Sequence, residues 1–108
     1  MKLQAIFNAL ALTITLSALG QTSDKISTAK GDLYIQPILH GTLVLQWNDL
    51  TIYVDPYGGA ALFKGIDSPD LVLITDIHGD HHDQKTLDAL DLTNATLVVP
   101  QVVADKMG

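Results

Sequence analysis

The chain has 108 residues, 47% of them hydrophobic, and a net charge of −6 from twelve acids, all Asp, and six bases, all Lys. With no basic patch and no run of like charges, it lacks the electrostatic footprint of a nucleic-acid binder. The absence of cysteine excludes disulfides, thiolate ligands, cysteine nucleophiles and a lipidated N-terminal cysteine. The length suits one small domain with a core.

The first twenty residues read as a separate object. Lys2 gives a short positive start, and an apolar run extends through Ala9-Leu10-Ala11-Leu12 to Leu19-Gly20. Small residues at Ala18 and Gly20 suit a signal peptidase cut before Gln21. The other readings of this stretch are a helix packed on the domain and a retained anchor. The run is short for a membrane span, and Asn8 interrupts it. Residues 1–20 are therefore expected to be a signal peptide. That places the mature protein in a periplasm or outside the cell, with no stable membrane anchor.

Residues 21–31 are polar and read as a linker. From Asp32 the pattern alternates, with Leu33, Ile35 and Pro37 against Tyr34 and Gln36, as in a strand. Thr42–Trp47 and Leu50–Asp55 are two further strands, joined by Asn48-Asp49 as a β-hairpin. Asp55-Pro56 ends the third strand, and Tyr57-Gly58-Gly59 opens a loop. Leu71–Thr75 is a continuous apolar run, expected to be covered on both faces. Asp83 is the expected N-cap of a helix over 84–90. Ala95–Val99 is a last strand, and Gln101–Met107 a last helix. Strand, helix and strand form a βαβ unit, which predicts a parallel pair, and ligands of open α/β sheets bind at the carboxyl ends of such strands. Residues 32–108 are thus expected to be α/β, a β-hairpin followed by a βαβ unit.

The loop after Leu71–Thr75 carries the chemistry. It reads Thr75-Asp76-Ile77-His78-Gly79-Asp80-His81-His82-Asp83 and holds three of the four histidines of the chain. Imidazole and carboxylate are the usual ligands of zinc and similar ions. In an extended segment Asp76, His78 and Asp80 share a face, and a turn at Gly79 can bring in His81. Such a set serves one ion, or two that share a hydroxide. The plainer alternative is a solvated loop with helix-capping carboxylates. His40 is either a structural residue at a strand start or a group near the site. Asp55 is either a turn former or a carboxylate that orients a ligand.

The loop resembles the His-x-His-x-Asp-His signature of the metallo-β-lactamase-fold hydrolases. Ile38–Leu45 followed by Leu50–Pro56 is similar to the opening hairpin of the branch that includes ascorbate-6-phosphate lactonase-like and uncharacterised metal-dependent hydrolases. The resemblance covers about Leu33 to Val99. It implies the N-terminal half of an αββα sandwich, with His78 on a first metal and Asp80 and His81 on a second. Asp80 would also orient or deprotonate the attacking water. Asp76 stands where the first histidine of the signature is expected, either as a carboxylate ligand that favours manganese beside the usual zinc or as the mark of a weakened first site. His82 lies beyond the signature, near the ligands or solvated.

The family completes its site with a further histidine, a bridging aspartate and a last histidine, which have no match before Gly108. The expectation is the N-terminal portion of a hydrolase that takes a small-molecule ester, lactone or phosphoester and uses two divalent ions when complete. The alternatives are a degenerate or non-catalytic metal-binding member and an inactive truncated fragment.

Overall fold

The computed structural model describes residues 22–108. The expected signal peptide, residues 1–20, lies outside the described residues. Six strands form one mixed sheet whose spatial order follows the chain. β1 (Asp24–Thr28), β2 (Gly31–Pro37), β3 (Leu43–Trp47) and β4 (Leu50–Val54) are antiparallel neighbours. β5 (Leu71–Leu73) lies parallel to β4, and β6 (Thr96–Val98) parallel to β5. A 3₁₀ turn (Ala60–Phe63) lies between β4 and β5, α1 (Gln84–Ala89) between β5 and β6, and α2 (Gln101–Met107) after β6. The hairpin and the parallel pair of the βαβ unit are both present.

Local chemistry accounts for the corners. Asn48 and Asp49 both have positive φ, 47° and 64°. That is the type I′ pattern, whose twist matches the strands it joins, and Asn and Asp tolerate it better than most residues. The segment 21–31 corrects the linker reading, because Asp24–Thr28 is a strand paired with β2 from Asp24↔Ile35 to Thr28↔Gly31. It is exposed along its whole length. An edge strand open to solvent on both faces needs no apolar alternation, so its polar composition hid it.

One face of the sheet carries the core. Val44, Tyr53 and Val72 stand in one row across β3, β4 and β5 and are at most 1% exposed. Phe63, Leu87 of α1 and Val103 of α2 close over them in one cluster. Burying each such side chain is worth about 1.5–3 kcal/mol. The Tyr53 ring stacks on Phe63 at 4.7 Å, and its hydroxyl donates to the Asp67 carbonyl at 2.9 Å. Burial, helped by the Asp67 charge, pushes the Tyr53 phenol up to about 12.

The other face has a different character. Ile35, Leu45, Ile52 and Leu71 form one row, and Pro37, Leu43, Val54, Leu73 and Val98 the next. None of them belongs to the core cluster, and Val98 is 54% exposed. The expectation that the Leu71 strand is covered on both faces therefore holds on one face only. Val72 and Ile74 are buried, while Leu71 and Leu73 are half-buried. Among the described residues no helix is long and apolar enough to cross a membrane.

Asp83 caps α1, accepting from Thr86 N at 3.2 Å. The Thr86 hydroxyl donates back to the same carboxylate at 2.6 Å. Gly58 N donates to Asp83 at 3.2 Å, and Gly59 N to Thr86 Oγ1 at 2.8 Å. The Tyr57-Gly58-Gly59 loop is thereby pinned to the helix start. Burial raises the Asp83 carboxyl, but the hydrogen bonds from Thr86, Gly58 and Lys85 outweigh it and leave it below the ordinary 3.8. A depressed folded-state pKa contributes stability above the unfolded value, and that contribution fades as pH falls through the folded one. Asp83→Ala is therefore expected to cost about 1 kcal/mol in urea unfolding at pH 7. The gap between variant and parent should shrink below pH 3.8. A gap that stays constant down to pH 2 contradicts this account.

Candidate metal centre

The centre is built around the end of β4. Asp55 follows that strand with φ +45°, directly before Pro56, where the chain normally stays extended. Such a backbone costs on the order of 1–3 kcal/mol and persists only where its surroundings over-determine it. Here they do. Asp55 N donates to Leu73 O of β5 at 2.8 Å. The buried Thr42 hydroxyl donates to Asp55 O at 2.6 Å. The carboxylate, in a residue only 3% exposed, accepts from Thr75 N at 2.7 Å and Thr75 Oγ1 at 2.5 Å.

The remaining partner of that carboxylate is His81, whose Nδ1 lies 2.8 Å from Asp55 Oδ2. An ionised carboxylate only accepts, so Nδ1 carries a proton, and in the neutral imidazole Nε2 keeps its lone pair. The hydrogen bond to Asp55 holds the His81 imidazole above its ordinary value, against a smaller opposing effect of burial. His81 Nε2 lies 3.9 Å from Asp80 Oδ1. Donors bound at about 2.0–2.2 Å to one ion stand within about 4 Å of each other, so this pair is spaced for a single ion.

Asp76 and His78 form a second pair. His78 Nδ1 lies 2.5 Å from Asp76 Oδ2, and Asp76 Oδ1 accepts from Ile77 N at 2.7 Å. Those two bonds, the one to His78 first, hold the Asp76 carboxyl below its ordinary value. The pair repeats the Asp55–His81 arrangement in the open, with the His78 side chain 77% exposed. The chain turns at His78, whose carbonyl accepts from His81 N and His82 N at 2.9 and 2.8 Å. Gly79 lies inside that turn.

The four expected ligands therefore fall into two pairs. Among the described residues no three His, Asp or Glu side chains gather into a metal-holding group. The donor types suit a divalent ion, and the described residues form a part-set for it.

The remaining candidates are placed as follows. His40 is exposed in the left-handed region at φ 54°, with its ring edge-on to Tyr57 at 5.3 Å. His82 is 6% exposed, which removes the solvated alternative. Its Nε2 lies 3.2 Å from Gln84 Oε1, and its Nδ1 has no partner among the described residues. Sequence reasoning missed Thr75 and Thr42, which hold Asp55 from either side. The only signal for them is a hydroxyl residue at each strand end.

Asp55→Ala removes the acceptor of three hydrogen bonds and leaves a backbone N–H without its partner. It is expected to destabilise the protein by about 2–3 kcal/mol. It should also abolish the Nδ1–H preference of His81 in ¹⁵N-edited imidazole spectra. A stable variant with an unchanged tautomer contradicts this geometry.

Comparison with known proteins matches the model of the beta-lactamase superfamily domain over residues 34–106. No curated protein matches the chain. The fold is similar to the crystal structure of a "Putative metal-dependent hydrolase" from Parabacteroides distasonis, with a TM-score of 0.70 and 30% identity. The likeness covers 81% of this chain and 40% of that one, so the chain spans less than half of that neighbour's length. A family match running from β2 into α2, on a sheet shared with a solved relative, makes the chain a member of the beta-lactamase superfamily that carries the N-terminal part of its metallo-β-lactamase α/β fold.

Proposed function

We propose that the protein serves metal-dependent hydrolysis of a small-molecule ester, lactone or phosphoester. The observation that carries this reading is His81, held through Nδ1 by a buried carboxylate with Nε2 free beside Asp80. A bound divalent ion supplies a water acidic enough to attack near neutral pH and polarises the oxygen under attack.

The residues have separable tasks. Asp55 keeps the His81 proton on Nδ1, so the Nε2 lone pair is presented without a tautomer change. Asp80 offers carboxylate oxygens next to that lone pair and takes or directs the proton of the attacking water. Asp76 positions His78 as Asp55 positions His81, in place of the ligand role expected from the signature. Mixed nitrogen and oxygen donors suit zinc, and a larger carboxylate share moves the preference toward manganese. Two pairs do not close a coordination shell, so further donors come from polypeptide outside residues 22–108. The fold leaves the substrate open.

The second reading is a degenerate or non-catalytic metal-binding member. It is favoured by the mutual engagement of Asp76 and His78 and by the absence of a three-donor group among the described residues. It predicts at most one ion per chain and no turnover.

Elemental analysis, with p-nitrophenyl acetate and bis(p-nitrophenyl) phosphate as probes, separates the two. Under the hydrolase reading, His78→Ala and Asp80→Ala lose metal and activity together, and activity that survives both refutes it. Asp55→Asn is expected to weaken metal affinity about 10–100-fold. Asp76→Asn, which keeps a hydrogen-bond acceptor toward His78, should fall in the same range. Complete loss of an ion in Asp76→Asn identifies Asp76 as a ligand.

A further inference from the structure

Beside the histidine loop stands a small apolar surface that the proposed chemistry does not use. The turn 38–42 joins β2 to β3 at the end of the sheet where Asp55 lies, and Thr42 ties the two together. Within that turn Leu39 is 40% exposed. His40 sets its ring at 84° to that of Tyr57, with 5.3 Å between centroids. Gly58 follows, in the left-handed region at φ +91°. A methyl added there would lie 2.8 Å from Leu39 Cδ2 and 2.9 Å from Leu62 Cδ1, so both leucines close on the same bare backbone. Leu62, in the 3₁₀ turn, is 39% exposed. Gly58 N is bonded in turn to Asp83, two residues past His81. Leu39, His40, Tyr57 and Leu62 thus form one patch, fixed to the frame that aims His81.

The charges around the patch bear on what it can take. Residues 38–42, 55–63 and 75–83 contain no Lys or Arg, the side chains that ordinarily hold a phosphate group. Asp76 and Asp80 add negative charge in the loop, which opposes an anionic substrate. Exposed leucines beside two rings gain instead from covering an apolar group. We infer that this patch takes the apolar acyl or aryl group of the substrate, which makes that substrate a neutral ester or lactone with a hydrophobic tail and not a phosphoester. The inference rests on the hydrolase reading of the centre and narrows its substrate class.

The test is an NMR titration of the full chain, metal-free and isotope-labelled, with γ-nonalactone and with γ-butyrolactone. The two differ by a pentyl tail, and burying about two of its carbons gives about tenfold in affinity. γ-Nonalactone should move the methyl signals of Leu39 and Leu62 and the ring signals of His40 and Tyr57. It should bind at least about tenfold more tightly than γ-butyrolactone. A smaller preference, or shifts confined to the methyls of Leu45 and Ile52 on the other sheet face, overturns the inference. Leu39→Ser combined with Leu62→Ser should remove most of the preference, and a double variant that keeps it in full overturns the inference as well. If the double variant does not fold, the wild-type shifts decide alone. Neither measurement requires metal or turnover. Failure here is therefore distinct from failure of the hydrolase reading, which metal content and the nitrophenyl probes report.

Discussion

A buried carboxylate has few ways to exist. Away from water it must be met by donors or by opposite charge, or it forces its surroundings apart. Asp55 is met on both oxygens by Thr75 and His81, while its own backbone is held by Leu73 and Thr42. These contacts draw together the ends of β3, β4 and β5 and the start of the histidine loop. They also hold a left-handed backbone before a proline that would otherwise relax. The parallel alignment of β5 against β4 at that end and the aim of His81 are two results of one satisfied charge.

The parts of the fold legible in the sequence were those set by local chemistry. Asn48-Asp49 marked a turn because both residues tolerate positive φ. Asp83 marked a helix start because its side chain can bond the third amide onward. Alternation gave β2, and apolar runs gave the cores of β5 and β6, though one-face coverage was not readable from a run with no polar positions. β1 was missed because an exposed edge leaves no periodic trace. In the loop, alternation placed Asp76, His78 and Asp80 on one face. The chain abandons extension at His78, where the carbonyl turns back to His81 N and His82 N, so the side chains after it follow a turn. Which oxygen meets which nitrogen depends on that turn and on Thr75, and neither is encoded in spacing.

The two acid–imidazole pairs give the departure from the family signature a physical sense. Exchanging a histidine for Asp76 removes a nitrogen donor and supplies an orienting partner for the neighbouring imidazole. The pair sits in solvent, where a carboxylate loses little hydration. The same exchange at His81, one-third exposed and already against Asp55, would bring two carboxylates together with no proton between them.

The spatial order of the sheet, one strand after another as in the chain, bears on how the protein comes to exist. Among the described residues no strand is inserted between two earlier ones, so none of these six waits for a later segment to find its neighbour. The first three pairings are antiparallel and close through short connections, at low entropic cost. Only the two parallel additions demand longer closures, and these come last, near the histidine loop. A chain ordered this way can assemble vectorially, growing its sheet at one edge as residues emerge from a ribosome or a translocation pore. Among the described strands, those that frame the histidine loop are then the later ones to join.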